Sequence, residues 1–232
     1  MNLSTIDSNY IFNTSIDYQK ESLSHEYFAL ATIRYSFPED DHYKLIKSEC
    51  PDFVSSDKSF GLEVTTVDSE QCKKATKAFH KMKHPKHKSE SFEKNITDSE
   101  ARIIKHNDPE FDCLDLPICP ADTLLSTISK RITAKQNKKY DLNGQLDLAL
   151  LAYGCVGDLA REEVESFFLG YNYDCNVFCR IFFISRQSCI KFQISKKQLY
   201  EKKIPDEDYK RLKILGRLTA EGDKSLGDKE WS

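Results

Sequence analysis

The sequence contains no run approaching 18 apolar residues, so no segment is expected to cross a bilayer as a helix. Its first ten residues, MNLSTIDSNY, have neither the basic start nor the apolar core of a secretory leader, and the expected location is cytoplasmic. No Gly-rich phosphate loop and no GxSxG elbow occur, which argues against Walker-type, dinucleotide-binding and serine-hydrolase chemistry. The eight cysteines include no CxxC pair, and Cys113 and Cys119 stand at no standard finger or ribbon spacing from the histidines. The cysteines therefore read as reduced thiols, several of them small buried hydrophobes. An excess of one charge is lacking too. With 34 basic and 37 acidic residues the net charge is −3, and any polyanion-binding surface must be local. No internal repeat is apparent.

What is present fits one domain with an insertion. A chain of 232 residues buries roughly 70% of its unfolded surface without disulfides or metal. Residues 16–34 carry a helical stripe, and Pro38 with the acids at 39–41 ends it. Short strands are expected at 42–46 and 52–54, a turn at 55–59 and a strong β-run, FGLEVTTV, at 60–67. Between Lys73 and Lys88 stand seven lysines and no acid, whereas Asp108, Glu110, Asp112 and Asp115 reverse the sign. Residues 73–120 thus read as a charged insertion. Order returns with a helix at 122–140, for which Asp122 is the expected N-cap and whose Leu124, Leu125, Ile128 and Ile132 form the apolar stripe. The run LDLALLAYG at 146–154 is short and apolar enough for a buried strand. A helix at 157–169 and a strand pair at 177–185 and 189–194 follow. The tail from 201 to 232 has eight acids and eight bases and reads as an exposed helix or loose end. The fold class is α/β, with a central mixed sheet flanked by helices.

One pair of acids carries the functional expectation. A turn centred on Asp57-Lys58 places Asp52 opposite Glu63 on antiparallel strands. Like charges so opposed destabilise a sheet unless something holds them together, and a hard divalent cation would do so. Alternation puts Glu63 and Thr65 on one face and Leu62 and Val64 on the other. Spacing alone equally fits two unrelated acids on a solvent-facing hairpin, and a slip of one residue would send Glu63 to the other face.

Pro51-Asp52 followed by Gly61-Leu62-Glu63-Val64-Thr65 resembles the active-site signature of the PD-(D/E)XK nuclease superfamily, whose fold is restriction-endonuclease-like. The resemblance spans about 16–67 and 122–194. It implies Mg²⁺ or Mn²⁺ held by Asp52, Glu63 and the Val64 carbonyl, with an acid from the first helix, Glu26 before Glu21. It also implies nucleic acid, DNA or RNA, as the partner, and no membrane. Thr65 stands where the family's lysine belongs and supplies no charge. Lys130 or Lys135 on the next helix is the expected substitute, with Gln71 as an alternative for orienting water. The other outcome is a catalytically inactive interaction module that keeps the fold. Oligomeric state has no signature in the sequence.

Three further groups have plainer readings. His80, His84 and His87 share a face but lie among lysines, as a solvated basic segment or a phosphate-contacting arm. Tyr171, Tyr173, Phe178, Phe182 and Phe183 read as core in preference to base-stacking platforms. Cys175 would be a nucleophile only beside a group that lowers its pKa.

Overall fold

The computed structural model describes residues 3–10, 12, 16, 18–83, 90–105, 113–117, 120–152, 161–172 and 177–222. His84, His87, Cys119, Tyr173 and Cys175 lie outside them, as does the side chain of Cys113. In chain order the elements are α1 (Tyr18–Ser36), β1 (Ile46–Lys47), β2 (Phe53–Val54), β3 (Phe60–Thr66), α2 (Glu70–Lys83), α3 (Glu90–Thr97), β4 (Arg102–Ile104), β5 (Cys113–Asp115), α4 (Ala121–Gln136), β6 (Gln145–Leu151), α5 (Arg161–Gly170), β7 (Phe178–Ile184), β8 (Ser188–Gln193), β9 (Gln198–Lys203) and α6 (Asp206–Glu221).

Seven strands form one mixed sheet in the order β1-β2-β3-β6-β7-β8-β9. β1, β2 and β3 run as an antiparallel meander, β3-β6 and β6-β7 are parallel, and β7, β8 and β9 return to antiparallel pairing. The two parallel joins need crossovers, which α4 and α5 supply. Alternation along the strands divides the core in two. Leu62, Val64, Ala149, Leu151, Phe182 and Ile184 face α1 and α6. Leu146, Leu148, Leu150, Ile181 and Phe183 face α4 and α5. Both sides are covered, which is why β6 reads as a continuous apolar run.

Several boundaries differ from expectation for physical reasons. The segment at 42–46 is mostly a 3₁₀ turn over Asp41–Lys44, with only Ile46–Lys47 in a strand. His42 is fully buried there, within 3.0 Å of the Asp147 carboxylate. Arg180 meets Asp147 at 2.8 Å and Asp40 at 2.9 Å, so buried charge pins this turn onto the sheet. Pro120, not Asp122, occupies the N-cap position of α4, and Asp122 lies in the first turn, where its charge still suits the dipole. The charged end, as far as Gly222, is a packed strand and helix, and 223–232 lie outside the described residues. α6 buries Tyr209, Leu212, Leu215 and Leu218 against α1, and Gly216 lets the backbones meet. A Cβ there would fall 2.8 Å from both Ser24 O and Phe28 N.

The insertion is a small unit with its own apolar cluster of Ala75, Ala78, Phe79, Ile96 and Ala101. It contains α2, α3 and the β4-β5 pair. His80 bonds Glu21 of α1 at 2.9 Å, and Glu70 bonds Arg131 of α4 at 2.9 Å.

Candidate functional site

The β2-β3 ladder pairs Phe53 with Leu62 and Val54 with Gly61. The next step of that register sets Asp52 beside Glu63, as a turn centred on Asp57-Lys58 requires. Pro51 holds this arrangement against Gly61, where a Cβ would lie 2.7 Å from Pro51 Cγ. β2 is only two residues long, so β3 loses its strand partner beyond Leu62 on that edge. The Asp52 carboxylate fills the gap, accepting the Val64 N–H at 2.7 Å. A residue's N–H and C=O point to the same edge of an extended strand, so the Val64 carbonyl shares this edge.

Glu63 is completely buried on the face toward α4. On α4 the buried stripe of Ile128 and Ile132 continues one turn further to Lys135. Its ammonium donates to Glu63 Oε1 at 2.5 Å. Lys138, one step beyond the C-cap Asn137, donates to the same oxygen at 2.9 Å. Glu63 Oε2, by contrast, is buried and has no hydrogen-bond partner. A buried carboxylate oxygen without a partner is costly and calls for an explanation, such as a bound ion.

Charge in this pocket is strongly perturbed. Burial, reinforced by the Glu63 charge, pushes the Asp52 carboxyl up to about 6 against the opposing pull of the Val64 N–H. Glu26 of α1 adds to that rise, while its own Oε2 sits 3.0 Å from Lys47 Nζ. Lys47 also donates to the Asp52 backbone carbonyl at 3.1 Å, which links the first helix to the pair. Partial burial opposes the charge on Lys138, but the Glu63 bond together with the charges of Glu63, Cys50 and Asp52 outweighs it and raises the lysine's pKa. Tyr140 donates to the Lys135 carbonyl at 3.0 Å, and its ring centroid lies 5.3 Å from Lys138 Nζ.

Of the residues expected from sequence, Asp52, Glu63 and Lys135 come together, joined by Val64 through its backbone and by Glu26 through Lys47. Thr65 follows Glu63 on the same face and is half-buried. Lys130 is exposed on α4, and five residues of helix turn it well away from Lys135. Glu21 faces His80 instead, and Gln71 is exposed at the start of α2. Lys138, Lys47 and Tyr140 were not expected. No helical period signals the first, since Lys138 lies past the C-cap Asn137 of α4. Phe178, Phe182 and Phe183 are buried in the core, as read.

Among the described residues, no three or more His, Cys, Asp or Glu side chains are grouped to cage a metal ion. Two carboxylates and a backbone carbonyl nonetheless form an all-oxygen set suited to a hard cation that keeps several waters. No family model, curated protein or solved structure matches the chain. No helix among the described residues is long and apolar enough to cross a membrane.

Proposed function

We propose that this protein is a divergent, restriction-endonuclease-like nuclease that hydrolyses phosphodiester bonds of DNA or RNA with Mg²⁺ or Mn²⁺. The observation that carries the reading is the partnerless Glu63 Oε2 beside Asp52, with two ammonium groups on the other oxygen of the same carboxylate. Asp52, Glu63 Oε2 and the Val64 carbonyl would hold the ion. Its chemistry is that of a Lewis acid, lowering the pKa of water and offsetting charge on a phosphoryl oxygen. Lys135 and Lys138 hold Glu63 Oε1 and place positive charge where the scissile phosphate would approach. Lys135 thereby takes up the position that Thr65 leaves without a cation. Lys47 orients Asp52 through its carbonyl and ties Glu26 to the site.

A second reading has its own support. The two lysines neutralise Glu63 without any ion, as an inactive, nuclease-fold interaction module would need. Incubation with supercoiled plasmid, single-stranded DNA and RNA in Mn²⁺ separates the two. Cleavage by wild type, lost in D52N and E63Q, supports the nuclease. Oligonucleotide binding without cleavage supports the module.

A further inference from the structure

The nuclease reading leaves a second run of positive charge unused. Residues 71–83 hold five lysines and no acid, and α2 folds them into a two-sided helix. Cys72, Ala75, Ala78 and Phe79 are buried. Lys74, Lys77 and Lys81 are exposed on the other side at i, i+3 and i+7. No hydrogen bond or ion pair satisfies these three among the described residues. Like charges at such spacing oppose helix formation, so the stripe contributes nothing to stability that would account for it.

Its placement gives it a use. α2 leaves the sheet just after Thr66, and its two tethers reach helices on opposite sides of that sheet. Glu70 holds Arg131 of α4, one turn before Lys135, and His80 holds Glu21 of α1, upstream of Glu26. The basic stripe is thus fastened to the same two helices that contribute Lys135 and Glu26. Seven residues of helix span about 10 Å, the axial rise of about three phosphates on one nucleic-acid strand.

We infer that the exposed face of α2 binds the sugar-phosphate backbone of the nucleic acid whose bond the Asp52–Glu63 site cuts, through Lys74, Lys77 and Lys81. This rests on the nuclease reading for the identity of the polyanion. Charge complementarity argues for it, because in a chain of net charge −3 one face of α2 sets out three exposed lysines that have no partner among the described residues.

The test is fluorescence anisotropy of the full chain with labelled 20-nucleotide DNA and RNA in EDTA, across a range of KCl. Wild type is compared with K74Q/K77Q/K81Q and with the charge-preserving K74R/K77R/K81R, after melting curves show both folded. The glutamine variant is expected to bind at least about tenfold more weakly at 0.1 M salt, its log–log salt slope shallower by about two to three. The arginine variant should bind as wild type. Unchanged affinity and slope in the glutamine variant would overturn the inference, as would equal displacement by polyglutamate, which would assign the face to acidic protein. Cleavage by wild type that the glutamine variant retains in full would sink this inference and spare the nuclease. Stripe-dependent binding without any cleavage would sink the nuclease and spare the stripe.

Discussion

Lys135 donates from the last turn of α4 to Glu63 Oε1 at 2.5 Å, across 72 residues of sequence. That contact, with Lys138 on the same oxygen, gives the two sides of one buried carboxylate different work. Oε1 is held by two ammonium groups, and Oε2 is buried without a hydrogen-bond partner.

The lysine pair predicts a strongly non-additive double variant. Either K135M or K138M alone leaves Glu63 one ammonium partner and should cost little. Together they strand a fully buried charge, for which a loss of about 3–5 kcal/mol is expected by urea denaturation. Adding E63Q to the double variant should recover most of that loss. A double variant as stable as wild type would mean that Glu63 is compensated elsewhere.

Asp52 predicts a pH signature. Its carboxyl is raised to about 6 in the fold by burial and by Glu63, above the ordinary value of 3.8. The folded state therefore binds the proton more tightly, and this group's contribution to stability falls as pH rises from about 4 to about 6. D52N removes that cost while keeping an acceptor for the Val64 N–H. In metal-free buffer it should be more stable than wild type at pH 7.5, by roughly 2 kcal/mol. The difference should vanish below about pH 3, where the wild-type carboxyl is protonated in both states. Thermal melts of the two proteins across that range read the effect directly.

The meander and the site it creates were legible because they depend on local rules. The turn residues at 57–58 and strict alternation along β3 place Asp52 and Glu63 together, and the Phe53–Leu62 ladder has that register. Lys135 was reachable because it extends the apolar stripe of α4. Lys138 was not, because it lies past the helix end, where turn geometry rather than period decides direction. The His42–Asp147–Arg180 group was also hidden, since a lone Asp in an apolar strand says nothing about its distant partners. In the C-terminal segment, charge content obscured the spacing of Tyr209, Leu212, Leu215 and Leu218, which is that of a buried helical stripe.

The α1–α6 crossing predicts a local steric cost. Gly216→Ala adds a methyl where backbone atoms of Ser24 and Phe28 would lie 2.8 Å away. Separating the helices should cost about 1–3 kcal/mol, read as a lower urea midpoint with an unchanged slope. Wild-type stability would show that the two helices slide apart freely.

The buried Asp147 predicts the opposite separation of effects from Glu63. Asp147→Asn leaves Arg180 short of its closest carboxylate and is expected to destabilise by about 3–5 kcal/mol. Because Asp147 shares its strand face with Leu62 and not with Glu63, any stabilisation by divalent metal should survive the substitution. Loss of that response in a folded Asp147→Asn protein would show that the two charge groups are coupled.

The central claim is that Asp52 and Glu63 jointly hold one divalent cation. Its most direct test is the melting temperature at pH 7.5 as Mn²⁺ is raised from micromolar to millimolar. Wild type should gain stability with the logarithm of metal concentration, about 2.7 kcal/mol at a hundredfold excess over the dissociation constant. D52N and E63Q should not respond. A flat wild-type curve, or an equal rise in all three proteins, would contradict the account.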